Sequence, residues 1–216
     1  MTGDSHPLYG VGPVVPVVVI DDAAQAVPLA RALSAGGVAV MEVTLRTRAA
    51  LEAIERVAAE VPDVLVGAGS VTTPKHITEV SRVGASFIVL PGSPPGLLDA
   101  ALASGVPLLP GASTVTEMMA LAERGLRLLK FFPAAASGGP PFLASVAGPL
   151  PELRFCPTGG VSAGNAAQYL ALPNVPCVGG SWLAPPSALA ARDWAHITEL
   201  ARAVASFQAD GLVGSG

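Results

Sequence analysis

The sequence predicts an α/β protein of the (β/α)8 TIM-barrel class. Short β-branched and apolar runs recur along the chain without the alternation of a half-exposed sheet. Amphipathic segments at helical spacing separate them, and the runs return about every 20 to 26 residues, about eight times in all.

The first run spans residues 14–20 and is apolar throughout, as a strand covered on both faces should be. Asp21 and Asp22 then open a helical segment in which Ala26, Ala30 and Leu33 share a face, stopped by Gly36-Gly37. Residues 38–43 form the next strand, and Leu51, Ile54, Val57 and Val61 mark the buried face of the helix after it. Further strands are predicted at residues 64–67, 86–90, 106–109, 126–132, 154–157 and 175–178. Thr73 before Pro74 caps one intervening helix, and Thr114 with Glu117 forms a capping box before Met118 and Leu121. Pro107 makes 106–109 a short strand. A doubly wound open sheet is the competing architecture.

From Asp193 onward, Trp194, Ile197, Leu200, Ala201 and Val204 form the face of a last helix. Residues 1–216 are expected to be one barrel domain, with its catalytic core at about 13–208 and a flexible tail at 209–216.

Composition narrows the function classes. Hydrophobic residues make up 51% of the chain, yet no uninterrupted apolar run approaches the roughly 18 residues of a membrane span. The excess is assigned to a core and a subunit interface. The N-terminus lacks the basic and apolar regions of a signal peptide, so a cytoplasmic protein is expected. A net charge of −4 without a basic stripe argues against nucleic-acid binding. Cys156 and Cys177 read as isolated buried thiols, and His6, His76 and His196 are poorly placed to converge on a metal. No metal and no cofactor are expected.

Lys130 stands inside the apolar strand at 126–132, where a lone ammonium is costly to bury. It either reaches solvent or a carboxylate, or serves as an amine nucleophile that forms a Schiff base with a carbonyl substrate. Glu42 lies on the second predicted strand and Lys130 on the sixth. Side chains in one barrel layer come from alternate strands, so the two can face each other. At about 6 Å and an effective dielectric near 20 their attraction is roughly 3 kcal/mol, enough for a structural ion pair. A nucleophilic amine must instead be neutral, and the residues alone leave both readings open.

Glycines mark the last two strand ends. Thr158-Gly159-Gly160 and Gly179-Gly180-Ser181 are placed where helices begin, so that backbone N–H groups and helix N-termini could receive a phosphate. Arg46 offers a fork for a carboxylate or is a solvated loop arginine; Ser70 offers a hydroxyl or a helix cap. Together these features describe a phosphorylated 2-keto acid substrate.

Six motifs carry a resemblance: Val15-Pro16-Val17, Glu42-Val43-Thr44-Leu45-Arg46-Thr47, Gly67-Ala68-Gly69-Ser70-Val71, Lys130-Phe131-Phe132-Pro133-Ala134, Arg154-Phe155-Cys156-Pro157-Thr158-Gly159-Gly160 and Gly179-Gly180-Ser181-Trp182-Leu183. From about Pro13 to the last helix the chain resembles the 2-keto-3-deoxy-6-phosphogluconate (KDPG) and 4-hydroxy-2-oxoglutarate (KHG) aldolases. The resemblance implies that Lys130 forms the Schiff base and Glu42 is general acid/base. It implies that Arg46 and Ser70 bind the carboxylate, Pro91 and Phe132 line the pocket, Thr158 sits beside the imine, and Gly159, Gly160, Gly180 and Ser181 surround the phosphate. It further implies metal-independent cleavage to pyruvate and D-glyceraldehyde 3-phosphate by a homotrimer.

Two departures stand out. The family commonly has threonine at the position of Ser70, and Ala135 and Ser137 replace a glutamate and an asparagine. Related substrates are the galactonate epimer and 4-hydroxy-2-oxoglutarate. A phosphate-binding isomerase or epimerase, and a catalytically silent binding protein on the same barrel, are the competing functions.

Overall fold

The computed structural model describes residues 6–205. Strands β1 (Val14–Val18), β2 (Val40–Thr44), β3 (Leu65–Gly69), β4 (Phe87–Val89), β5 (Leu108–Leu109), β6 (Gly111–Ala112), β7 (Leu128–Phe131), β8 (Arg154–Pro157) and β9 (Val178–Gly180) pair in parallel throughout. Between them run α1 (Ala26–Ala35), α2 (Ala50–Glu60), α3 (Pro74–Arg82), α4 (Pro95–Ala103), α5 (Val115–Glu123), α6 (Gly139–Val146) and α7 (Ala166–Leu170). After β9 come α8 (Pro186–Ala191) and α9 (Trp194–Ala205).

The strands form a six-stranded sheet in the order β5-β4-β3-β2-β1-β9 and a three-stranded sheet in the order β6-β7-β8. The sequential order of β1 to β5, with β9 beside β1, excludes a doubly wound sheet, whose strand order reverses at the middle. The expectation of eight continuous strands in one closed sheet needs correction. The strand expected at 106–109 is displaced and divided, with Pro110 between β5 and β6. Proline has no N–H to continue a ladder, although the Pro110 carbonyl still accepts from the Lys130 amide at 2.8 Å. On the other side the sheets meet at one parallel bridge, Thr158 with Gly179.

The last strand is also displaced, from the expected 175–178 to Val178–Gly180. Pro176 cannot donate to a ladder, and β9 takes its register from β1, with Val14 opposite Val178 and Pro16 opposite Gly180. Gly179 and Gly180 therefore belong to a strand rather than to a helix start. The glycines after β8 do not begin a helix either, since α7 starts at Ala166. Gly159 and Gly160 instead turn the chain with φ of 93° and 78°, a region open to glycine.

Every residue of β2 is buried, consistent with helices on one side and the strand interior on the other. The buried apolar side chains form one contiguous core, which Leu8 of the N-terminal segment joins. The expected caps are present: Thr73 accepts from the His76 amide, and Thr114 and Glu117 complete a capping box at α5. The α9 helix packs across α1 where Gly36 leaves no room for a side chain, since an added Cβ would lie 2.6 Å from the Thr198 carbonyl oxygen. No described helix is long and apolar enough to cross a membrane. The expected tail at 209–216 lies outside the described residues.

Candidate active site

Of the residues predicted from sequence, Glu42 and Lys130 lie within β2 and β7, and the others lie at or just beyond strand ends. Glu42 and Lys130 point from β2 and β7 into the space between the sheets; Lys130 Nζ stands 3.3 Å from Glu42 Oε1. The side chains are only 6% and 3% exposed, so water is replaced as a partner for each charge by the other residue. The Phe132 ring, one residue past β7, has its centroid 5.4 Å from Nζ, close enough for its face to attract an ammonium.

Small residues make this space. In β6, Gly111 pairs in register with Lys130, and a Cβ there would lie 2.6 Å from the Leu90 carbonyl oxygen, so the backbone leading into Pro91 closes on the lysine row. On the other flank Lys130 pairs with Cys156 of β8. Two residues on, the buried Thr158 side chain lies over Gly179, where an added Cβ would come within 3.2 Å of its Cβ. Gly159 abuts the Phe132 ring, with 3.1 Å from an added Cβ to Cε2, and Gly160 sits against Ala135. Trp182 folds back over Gly180, leaving Ser181 exposed at the rim.

Arg46 and Ser70 come together after β2 and β3. Arg46 Nε donates to Ser70 Oγ at 3.0 Å. The loop carrying Arg46 is tied to the end of β1: Thr44 Oγ1 donates to the Val18 carbonyl at 3.1 Å, and Thr47 Oγ1 donates to the Ile20 carbonyl. Sequence reading identified this motif without finding its anchors. Ser70 has φ of 56°, an uncommon conformation for a residue with a side chain and one that clusters at functional sites.

Cys156 and Cys177 are buried, as expected, but not isolated from each other. A thiol hydrogen bond with Cys156, together with burial, pushes the Cys177 thiol well above its usual range. Their proximity follows from β8 lying beside β9 and could not be read from their spacing. Among the described residues no three His, Cys, Asp or Glu side chains form a metal-ligand group. A separate groove of about 660 Å³ between α4 and α5, lined by Pro95, Leu98, Thr116 and Ala120 among others, contains neither Lys130 nor Glu42.

A lysine kept from water beside a carboxylate, on neighbouring walls of parallel strands, is suited to adding its amine to a carbonyl and moving the protons that follow. The class so defined is that of the Schiff-base aldolases. Comparison with known proteins makes the assignment specific: the chain belongs to the KDPG and KHG aldolase family, whose model matches residues 9–200. It is 52% identical over 198 residues to the 2-dehydro-3-deoxy-phosphogluconate aldolase of Pseudoalteromonas atlantica, covering 92% of each chain. It is 53% identical over 191 residues to the KHG/KDPG aldolase of Escherichia coli K12, covering 88% of this chain and 90% of that one. Among solved structures, a KDPG aldolase from Legionella pneumophila with pyruvate captured as a covalent carbinolamine matches with a TM-score of 0.89 and 47% identity. That match covers 91% of this chain and 95% of the other.

Proposed function

We propose that this chain cleaves KDPG to pyruvate and D-glyceraldehyde 3-phosphate, with Lys130 as the Schiff-base nucleophile and Glu42 as the acid/base. The observation that carries this reading is the 3.3 Å approach of Lys130 Nζ to Glu42 Oε1 in a space almost closed to water. Lys130 passes its ammonium proton to Glu42, the neutral amine adds to the C2 carbonyl to form a carbinolamine, and Glu42 returns a proton to the carbinolamine hydroxyl as water leaves, giving an iminium and restoring the carboxylate. The Glu42 carboxylate takes the C4 hydroxyl proton, the C3–C4 bond breaks, and its electrons enter the iminium to give an enamine. Glyceraldehyde 3-phosphate leaves, a proton returns to C3, and water hydrolyses the imine to release pyruvate and Lys130.

In this reading Arg46 and Ser70 hold the substrate carboxylate, while Phe132 and Pro91 line its path. Thr158 contacts the imine, and the phosphate lies among Gly159, Gly160, Gly180 and Ser181. Support comes from the Arg46–Ser70 hydrogen bond and from the contacts of Gly159 with Phe132 and of Gly179 with Thr158. The two sheets are then the walls of one (β/α)8 barrel, interrupted at Pro110. We place the enzyme in the cytoplasm as a homotrimer, for which Leu102 on α4 and Val115 and Met119 on α5 offer exposed apolar surface.

Borohydride reduction in the presence of pyruvate should leave a stable adduct on the peptide containing Lys130, and Lys130→Ala should abolish both adduct and cleavage. Retention of cleavage by Lys130→Ala would overturn the proposal. Comparing kcat/KM for KDPG, its galactonate epimer and 4-hydroxy-2-oxoglutarate tests the substrate assignment, with KDPG expected to be preferred.

A further inference from the structure

Gly69 closes β3 opposite Thr44 of β2, yet its conformation does not call for glycine, because its φ lies outside the left-handed region. What excludes a side chain is Glu42. A Cβ added at position 69 would overlap Glu42 Oε1 and lie 2.6 Å from its Cδ and 2.7 Å from its Cγ. The carboxyl end of Glu42 thus rests on the bare Cα of Gly69, in volume that any other residue would fill.

The backbone of β3 cannot easily yield. The Gly69 carbonyl accepts from the Leu45 amide at 2.9 Å, and the next residue, Ser70, is held at φ of 56° while bonded to Arg46. Shifting the β3 backbone would therefore disturb the ladder and the Arg46–Ser70 pair together. Glu42 is the movable partner, and any shift of its carboxyl group alters the 3.3 Å approach to Lys130.

Building on the acid/base assignment of Glu42, we propose that Gly69 is a positioning residue, the steric seat that aims the Glu42 carboxylate at Lys130 and the substrate hydroxyl. A methyl group at position 69 moves the carboxylate without removing it. The lysine, the Arg46 fork and the phosphate cradle remain in place. The loss should fall on proton transfer and spare binding.

The test is a cycle of four proteins: the unmodified enzyme, Gly69→Ala, Glu42→Ala and the double variant. Gly69→Ala should lower kcat for KDPG by on the order of 100-fold, within the range of a lost general acid/base, while KM changes less than about threefold. It should also lower the melting temperature. In the Glu42→Ala background the same methyl group enters vacated space, so Gly69→Ala should leave the melting temperature unchanged or raise it. A merely structural glycine would cost the same in both backgrounds, and that result overturns the proposal, as does an unchanged kcat in Gly69→Ala. If Gly69→Ala does not fold, folding of the double variant supports the seat and failure of the double variant rejects it. Unchanged kcat in Glu42→Ala would refute the acid/base role of Glu42, a failure separate from the steric result because the melting temperatures still report it.

Discussion

Lys130 Nζ lies 3.3 Å from Glu42 Oε1, with the two side chains 6% and 3% exposed. Enclosure makes this pair a poor source of stability and a good place for chemistry. Two charges removed from water regain by attraction little more than they lose in solvation, but removing one leaves the other stranded. Lys130→Met alone should therefore destabilise the fold by about 3–5 kcal/mol, whereas Glu42→Met/Lys130→Met should be neutral or more stable by up to about 4 kcal/mol. Denaturant melts of the three proteins check this, and both variants should be inactive. A double variant no more stable than Lys130→Met would show that the ion pair itself holds the fold.

Ser70 separates function from stability in a second way. Its φ of 56° is costly for a residue with a Cβ, while its hydroxyl accepts from Arg46 Nε. Ser70→Gly should relieve up to about 1 kcal/mol of backbone strain and release the Arg46 fork. The expected outcome is an equal or higher melting temperature with a several-fold higher KM for KDPG. Ser70→Ala should raise KM similarly without the gain in stability. Unchanged KM in both variants would remove Ser70 from the carboxylate site.

The elements that sequence reading located well are those whose side chains reveal their surroundings. Glu42 and Lys130 were legible because a charge in an apolar strand needs a partner, and strand parity supplied one. The capping box at Thr114 and Glu117 was legible because its geometry is local. Gly179 and Gly180 were expected just past a strand at 175–178 and instead lie within it, because glycine has no side chain to show strand alternation and β1 sets the register. Sequence reading did not single out Pro110, which divides a strand while its carbonyl keeps the neighbour's hydrogen bond. The seat at Gly69 could not be seen at all, since the group that fills its missing side chain comes from another strand.

The α5 capping box carries a pH signature. The Ser113 amide first, with the Thr114 hydroxyl and amide and the Ser113 hydroxyl, holds the Glu117 carboxyl below its usual 4.5 against a smaller opposing effect of burial. A group whose folded value is depressed contributes stability above its unfolded value and loses it as pH falls through the folded one. Thr114→Ala should cost about 1 kcal/mol near neutral pH. Glu117→Gln should be less stable than the unmodified protein above pH 4.5, with the two curves converging below it. Thermal melts from pH 7 down to the acid limit of folding check this, and a constant difference throughout would show that the carboxylate does not act through its charge.

The N-terminal turn should weaken in acid over a different window. Leu8 is 1% exposed in the core, and burying it draws in His6, whose Nδ1 accepts from the Leu8 amide at 3.2 Å. Burial pushes the His6 imidazole from 6.5 down to about 4, against an opposing interaction with the Leu108 backbone. Between these values the unfolded or detached segment binds a proton that the docked segment does not, so stability rises with pH across the window and falls as pH drops from 6.5 towards 4. The full shift corresponds to at most about 3 kcal/mol, and partial exposure of the ring reduces it. Amide exchange of residues 8–10, followed from pH 7 to pH 4.5 and corrected for intrinsic rates, should show protection falling with acid in the unmodified protein. His6→Gln should flatten that slope while keeping a polar side chain at the position. Equal slopes in the two proteins would mean that protonation of His6 does not govern docking of the turn.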